Sequence, residues 1–442
     1  MAQSQITEKS SHLASSDAYF EMVQSRKKLP HKLQESLTAA FAKIPGVSCY
    51  VIPVIEIDAD TSISNAVKIL SESNILSAPV RSSAVQDGND WRERYLGILD
   101  YSAIVLWVLE NAEIEAEALL ANSAAIAGAR VSAAGTLGAL ALSSTAGPAV
   151  AAGLTVAAVG AAVAVGVAAE RGIGNDAPTA ADKLGEDFYK VILQEEPFIS
   201  TMVESIVKSH RRAPFVPVAK DSSMLTVMLL LSKYRLRTVP VIEMGKPFLK
   251  SFITQSAVIQ GLEGCKGRDW FDTTSALPIS DLGLPYMSPD EVISIGSDEL
   301  IFEAFKKMRD NNIGGLPVVQ WPKKKIVGNV SIRDIRFLLL KPELFSNFRQ
   351  LTVEDFMNTV SSATHEPSKV ATPITCKLDS TFGNVIDILA SMSVHRIYVT
   401  ADEDNEVIGV ITLRDVISCF IFEPPKFFDN YFGFSAQETL AE

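Results

Sequence analysis

Two rhythms of apolar residues alternate along this chain. Segments such as Ala66-Val67-Ile69-Leu70 and Met224-Val227-Met228-Leu231 carry the spacing of a helix. Each leads to a short apolar run of strand length, a turn and a second such run. The clearest copy reads His395-Arg396-Ile397-Tyr398-Val399, an acidic turn, then Gly409-Val410-Ile411-Thr412-Leu413-Arg414-Asp415-Val416-Ile417. About 80 residues earlier stands Gly314-Gly315-Leu316-Pro317-Val318-Val319, a basic turn, then Gly328-Asn329-Val330-Ser331-Ile332-Arg333-Asp334-Ile335. The pattern predicts a strand, a turn, a second strand ending in a hydroxyl residue, and an aspartate three positions on that opens a helix. A repeat of this kind sets the whole architecture.

Two weaker copies lie upstream. Thr238-Val239-Pro240-Val241-Ile242 leads to Ser251-Phe252-Ile253-Thr254-Gln255-Ser256-Ala257, and Ser77-Ala78-Pro79-Val80 leads to Gly97-Ile98-Leu99-Asp100-Tyr101-Ser102-Ala103. Pro240 and Pro317 stand 77 positions apart, whereas Pro79 and Pro240 stand 161 apart, about one period too many. An insertion therefore separates the first and second copies. Its centre, 131–169, has no charged residue and is mostly Ala, Gly and Val, split at Pro148 into pieces of about 16 and about 21 residues. The second piece is long enough to cross a bilayer. Small residues at Gly153, Ala157, Gly160, Ala164 and Gly166 would permit close helix contact there. A single crossing would place the first two repeats on opposite sides of a membrane. Two readings stay open: a low-complexity excursion packed on the surface or self-associating, and a membrane-associated hairpin.

Composition narrows the function classes. At 442 residues there is room for two to four domains, each with its own core. The formal charge of −12 argues against a nucleic-acid phosphate surface. The four cysteines, Cys49, Cys265, Cys376 and Cys419, form no C-x-x-C pair, which favours free thiols in a reducing compartment. The first residues lack the order of a secretory signal, and Glu8, Asp17 and Glu21 come too early for a transit peptide. A cytoplasmic or nuclear location is expected, with membrane association through 131–169 as the competing reading.

The repeated Ser/Thr-x-x-Asp motif carries the candidate chemistry. A carboxylate in the first turn of a helix can accept both hydroxyls of a ribose, and the hydroxyl residue before it can reach the same sugar. Helix N-terminal N–H groups favour an anion nearby. Apolar side chains of the adjoining strands can clamp an adenine, and a basic residue is then needed for the phosphate. The alternative is structural: this arrangement at a strand-to-helix junction is a common N-cap. In the first and second copies the aspartate is replaced by Ala103 and Ala257, although the second keeps Thr254 and the first has Asp100 at the hydroxyl position.

The repeats resemble cystathionine-β-synthase (CBS) repeats. Four in one chain resemble the γ regulatory subunit of the AMP-activated and sucrose-non-fermenting-related protein kinase family, in its plant form. The phrases that carry this are Leu229-Leu230-Leu231-Ser232-Lys233-Tyr234, Ile253-Thr254-Gln255-Ser256, Ile313-Gly314-Gly315, Arg333-Asp334-Ile335 and His395-Arg396-Ile397-Tyr398-Val399. The resemblance implies an α/β fold of tandem β-α-β-β-α units paired into two Bateman modules, with the Ala/Gly-rich segment inserted. The expected divisions are an amino-terminal extension 1–50, repeats at 51–114, 190–265, 281–345 and 346–425, the insertion at 115–189, and a tail at 426–442. It also implies a kinase catalytic subunit and a scaffolding β-type subunit as partners, with AMP, ADP or ATP as ligand.

Carried over residue by residue, Ser331 and Asp334 would hold a ribose while His395 and Arg396 of the fourth repeat face its phosphate. The reciprocal site would use Thr412 and Asp415, with Arg414 nearby and Asn311 and Asn312 across from them. Asparagines bring no charge, so that site is expected to be weaker. Thr254 and Arg237 belong to the poorer half, together with Leu76 where the family has a phosphate-binding Arg. His210-Arg211-Arg212 and the aromatic tail from Phe422 are further surface candidates, and each also reads as a solvated turn or a cap. No Walker loop, kinase catalytic loop, G-x-S-x-G or metal-ligand cluster is present, which argues against an enzyme. The open alternatives to a nucleotide sensor are a degenerate CBS scaffold and a membrane-tethered CBS protein.

Overall fold

A computed structural model of the chain describes residues 18–46, 54–83, 91–110, 200–209, 215–243, 246, 248–340, 350–363, 373–401, 405–425 and 427–428. The apolar segment 131–169, the basic run His210-Arg211-Arg212 and most of the tail lie outside the described residues. Among those described, no helix is long and apolar enough to cross a membrane.

The strand periodicity resolves into four small sheets of three strands each. They are β1 (Ile57–Asp58), β2 (Ser77–Arg81) and β3 (Tyr95–Asp100); β4 (Val218–Ala219), β5 (Thr238–Ile242) and β6 (Leu249–Thr254). The other two hold β7 (Ile295–Gly296), β8 (Gly315–Gln320) and β9 (Lys325–Ser331); β10 (Thr375–Cys376), β11 (Arg396–Thr400) and β12 (Val407–Thr412). In every unit the first strand runs parallel to the second, and a helix supplies the crossover that parallel pairing requires. Ser62, Ser223 and Thr381 cap three of those helices by accepting from the N–H of Asn65, Thr226 and Asn384.

Register shows that the copies are equivalent. The antiparallel pairs begin Ser77↔Asp100, Thr238↔Thr254, Gly315↔Ser331 and Arg396↔Thr412. Each hairpin also slips at the same place, at Val80/Arg81, Val241/Ile242, Val318/Val319 and Val399/Thr400. The residue that opens the second strand therefore always faces the one that closes the third. This fixes where the hydroxyl position points in all four units.

Neighbouring units meet through their sheets, and the two pairs then meet through helices. Tyr95 and Ile98 of the first unit pack on Phe215, Ile242, Leu249 and Phe252 of the second. Val292, Val319 and Ile326 of the third pack on Tyr398 and Val407 of the fourth. One helical core joins units one and three, the other joins units two and four, so the four close into a ring.

Lead-in segments are exchanged within each pair. Isolated bridges join Pro45 to Ser223 and Ser62 to Met202 in one pair, and Pro278 to Thr381 and Leu300 to Thr352 in the other. Thus helix His31–Phe41 buries Leu37 and Phe41 in the core that units two and four share. Helix Val203–Ser209 returns Val203, Ile206 and Val207 to the core that includes unit one.

Candidate functional site

In each unit the third strand runs straight into a helix, leaving the first N–H groups without a helical partner. The hydroxyl position answers that need in units two and four: Ala257 N–H donates to Thr254 Oγ1 at 3.0 Å and Asp415 N–H to Thr412 Oγ1 at 3.3 Å. In unit one Asp100 takes the same role, its Oδ1 accepting Ala103 N–H at 2.9 Å. Capping alone therefore accounts for the hydroxyl residue. In units three and four the aspartate completes a capping box by accepting the backbone N–H of that residue, which occupies one carboxylate oxygen and leaves the other to be accounted for.

Units three and four add that carboxylate in matching geometry. Asp334 Oδ2 accepts the backbone N–H of Ser331 at 2.7 Å and its hydroxyl at 3.1 Å. Asp415 Oδ2 accepts Thr412 N–H at 2.8 Å and its hydroxyl at 2.7 Å. The second oxygens differ. Asp334 Oδ1 carries no hydrogen bond from any described residue, whereas Asp415 Oδ1 accepts the Tyr19 hydroxyl at 2.5 Å. Burial raises the Asp334 carboxyl above its ordinary range despite the bonds from Ser331.

Arg333 and Arg336 act on Asp334 from its own unit, and basic groups from three units gather around His395 and the Gly314-Gly315 backbone that pairs with Ser331. Arg396 lies across the backbone of Gly314 and Gly315, where a Cβ on Gly315 would collide with its guanidinium and one on Gly314 would stand 3.3 Å from Nη2. The glycine pair is thus a bare floor for this side chain. Arg396 Nη1 also donates to Asn329 Oδ1 at 3.3 Å. Arg237 reaches in from unit two, pairing with Asp100 Oδ2 at 3.3 Å and donating to Ser102 Oγ at 2.5 Å. Arg333 donates to Asn74 Oδ1 at 2.7 Å across the seam to unit one, and its Nε is buried without a partner. Arg336 adds a further charge acting on Arg333 and Asp334.

Charge does not balance at this place. Among the described residues, four guanidinium groups (Arg237, Arg333, Arg336, Arg396) stand with two carboxylates (Asp100, Asp334), an excess of two positive charges. Among the described residues no carboxylate forms an ion pair with Arg333, Arg336 or Arg396. In a chain of net charge −12 this is a local inversion of sign. An open carboxylate oxygen beside excess guanidinium is what a sugar phosphate needs: acceptors for its diol and donors for its phosphate.

His395 stands in the same cluster as a neutral group. Burial, reinforced by the charges of Arg396, Arg333 and Arg237, pulls its pKa from 6.5 down to about 3. In the unfolded chain it titrates near its ordinary value. Its contribution to stability is therefore present above 6.5 and is lost as pH falls from 6.5 towards 3. His395→Gln should flatten the acid limb of a melting-temperature profile across that window. An unchanged limb would show that His395 is charged in the folded protein.

The remaining predicted residues lie elsewhere. Arg414 is buried, donates to Ser232 O at 2.6 Å and Lys233 O at 3.4 Å, and so ties unit four to the end of a helix in unit two. Asn311 turns back on its own helix, donating to Lys307 O at 2.8 Å, and Asn312 takes a left-handed φ of 51°. Sequence reasoning missed Arg333, Arg336, Tyr19 and the Asp100–Arg237 pair. Asp100, as a carboxylate at a hydroxyl position, and Arg237, as a basic residue of the poorer half, were each visible in the sequence, but their pairing was not.

Comparison with known proteins bears on the family and the fold. A family model described as "CBS domain" matches residues 279–341 and 364–421. The chain is 65% identical over 433 residues, 97% of each chain, to the Arabidopsis thaliana protein named SNF1-related protein kinase regulatory subunit gamma-1-like. It is 33% identical over 413 residues to SNF1-related protein kinase regulatory subunit gamma-1 of the same plant, covering 90% of this chain and 86% of that one. A Methanocaldococcus jannaschii protein described as an archaeal homologue of γ-AMPK superposes with a TM-score of 0.52 at 16% identity, over 85% of this chain and all of its own, which speaks to the fold. Sharing two thirds of its residues with one such relative, along almost the full length of both, the chain belongs to the family of SNF1-related protein kinase γ regulatory subunits.

Proposed function

We propose that this protein is a non-catalytic, γ-type regulatory subunit that binds an adenine nucleotide between its third and fourth repeats. The observation that carries the reading is Asp334, whose Oδ1 accepts no hydrogen bond from a described residue and on which the charges of Arg336 and Arg333 act, while Arg396 and Arg237 join Arg333 around His395. Asp334 would take the ribose hydroxyls, and Arg396, with Arg237 and Arg333, the phosphate. The adenine part of the ligand rests on the family.

A protein kinase is the partner that the relatives' names suggest, and the family resemblance adds a β-type scaffold. Regulation then requires that the nucleotide bind two conformations of the assembly with different affinity, since a ligand with equal affinity for both shifts nothing. The ring offers a place where such a difference can arise. The site draws on three units at once, so a change in their spacing alters phosphate contacts before any core is broken.

Calorimetric titration of the full chain with AMP, ADP and ATP tests this. The expected result is saturable binding that weakens with salt, because the phosphate contacts are charged. A scaffold that has lost sensing is the competing reading, favoured by units one and two, which spend this position on capping alone. Absence of binding to all three nucleotides would decide for the scaffold.

A further inference from the structure

The position just after the hydroxyl residue is unusual in unit one. Matching register makes Tyr101 the equivalent of Gln255, Ile332 and Leu413. In units three and four that side chain is apolar, and Ile332 and Leu413 fill the helical cores. Tyr101 lies in the core that units one and three share, is 1% exposed, and brings a phenol there. Its Oη is buried and has no hydrogen-bond partner among the described residues. A buried hydroxyl without an acceptor is costly, so this one calls for an acceptor from outside the core.

The groups that act on that hydroxyl are donors. They are Arg336 and Arg333, both of unit three. Arg333 spends Nη2 on Asn74 Oδ1 at 2.7 Å across the seam, while its Nε is buried without a partner among the described residues. Arg336 stands three positions on, in the helix Ile335–Leu340 that packs on helix Ile63–Glu72 of unit one. Of the described carboxylates Asp334 alone acts on Arg333, and its Oδ2 is already held by Ser331. Arg333 is thus shared by two neighbourhoods: Arg396 and Arg237 join it around His395, and Arg336 joins it around Tyr101. Burial pushes the Tyr101 hydroxyl above its ordinary pKa, so it keeps its proton and remains a donor at neutral pH.

We propose that Tyr101, Arg333 and Arg336 form a phosphoryl-binding site in the seam between units one and three, apart from the ribose and phosphate positions at Asp334 and Arg396. A tetrahedral phosphoryl group supplies several acceptor oxygens at once. One takes the phenol O–H, and the others take Arg333 Nε and the Arg336 guanidinium. Its charge offsets the guanidinium excess beside Asp334. The group can arrive as free phosphate or as the terminal phosphate of a nucleotide seated at Asp334, and the donors that receive it are the same. For free phosphate the site does not depend on the nucleotide reading; for a nucleotide phosphate it rests on it.

The test is calorimetric titration of the full chain with inorganic phosphate, AMP and ATP. Free phosphate should bind saturably, and Tyr101→Phe should weaken it roughly tenfold by removing one charge-assisted hydrogen bond. Adding Arg336→Gln should abolish it; where that double variant does not fold, Tyr101→Phe decides alone. If the phosphoryl group belongs to a nucleotide, Tyr101→Phe should instead lower the ratio of ATP to AMP affinity by a similar factor. Phosphate held at Arg396 would be indifferent to Tyr101. An unchanged phosphate affinity together with an unchanged ATP-to-AMP ratio in Tyr101→Phe would therefore overturn the proposal. Melting in phosphate-free buffer supplies a second measurement. Tyr101→Phe removes an unsatisfied hydroxyl and should melt no lower than the wild type, whereas a lowered midpoint would show the hydroxyl already satisfied within the fold and overturn the site. Phosphate binding that survives in Asp334→Ala, beside AMP binding that is absent from the wild type, would strike the nucleotide reading and leave this one standing.

Discussion

Asp334→Ala should weaken AMP binding by about 100-fold. Two ribose hydroxyls donating to an ionised acceptor contribute roughly 1.5 kcal/mol each, and about 3 kcal/mol corresponds to that factor. A second effect opposes this loss. Removing a carboxylate from a cluster with surplus guanidinium makes the site more positive, which by itself would strengthen phosphate binding. The sign of the outcome therefore identifies the dominant contact. If Asp334 holds the ribose, AMP affinity falls while inorganic phosphate binds the variant at least as well as the wild type. If Asp334 only caps its helix, AMP and phosphate should move together. Ser331→Ala provides the graded control, since it removes only the hydroxyl that steadies Oδ2 and should cost about 1 kcal/mol, or roughly fivefold.

Phe420→Ala should destabilise the fold by about 3 to 5 kcal/mol, the usual range for deleting a fully buried aromatic ring. Phe420 has no exposed surface and sits at the meeting point of four segments. Its ring centroid lies 5.3 Å from Phe382, 6.2 Å from Phe271, and 6.3 Å from both Phe41 and Trp270. These come from unit four, the connection after unit two, and the amino-terminal segment, so no single element can collapse to refill the space. Urea unfolding followed by circular dichroism should show a lowered midpoint. Trp321→Ala is the comparison: that side chain is 52% exposed and its loss should change the midpoint little. Equal shifts for the two would show that the aromatic cluster does not hold the ring together.

What could be read from the sequence divides along physical lines. The strand–turn–strand–helix unit was legible because apolar periodicity and the i to i+3 capping relation are local, and the same local pattern occurred four times. Pairing of the third and fourth repeats around Asp334 and Arg396 followed from that repetition together with the family resemblance. Gly314-Gly315 was visible as a phrase, but its purpose as a floor for Arg396 required the neighbouring unit. Arg333 was visible only as part of the phrase Arg333-Asp334-Ile335, yet it reaches Asn74, 259 positions away. Arg414, beside the second motif's aspartate, is drawn off to backbone carbonyls of unit two. Such contacts depend on which helical faces meet when the ring closes, and periodicity within one copy says nothing about that. Tyr19 is the extreme case, since nothing around it in the sequence points to Asp415, 396 positions away.

The exchange of lead-in segments changes what counts as a separable piece of this protein. A fragment cut at the first residue of the first repeat would keep all the strands of that repeat. It would nevertheless strip Leu37 and Phe41 from the second repeat, whose helices would then expose an apolar face that the missing segment had covered. Injury made before one unit is felt in its neighbour. A pair of units carrying both of its lead-in segments keeps its sheets and their shared face, but the helical cores are completed only by the other pair, and any gain or loss of sequence ahead of a unit acts first on the other member of its pair.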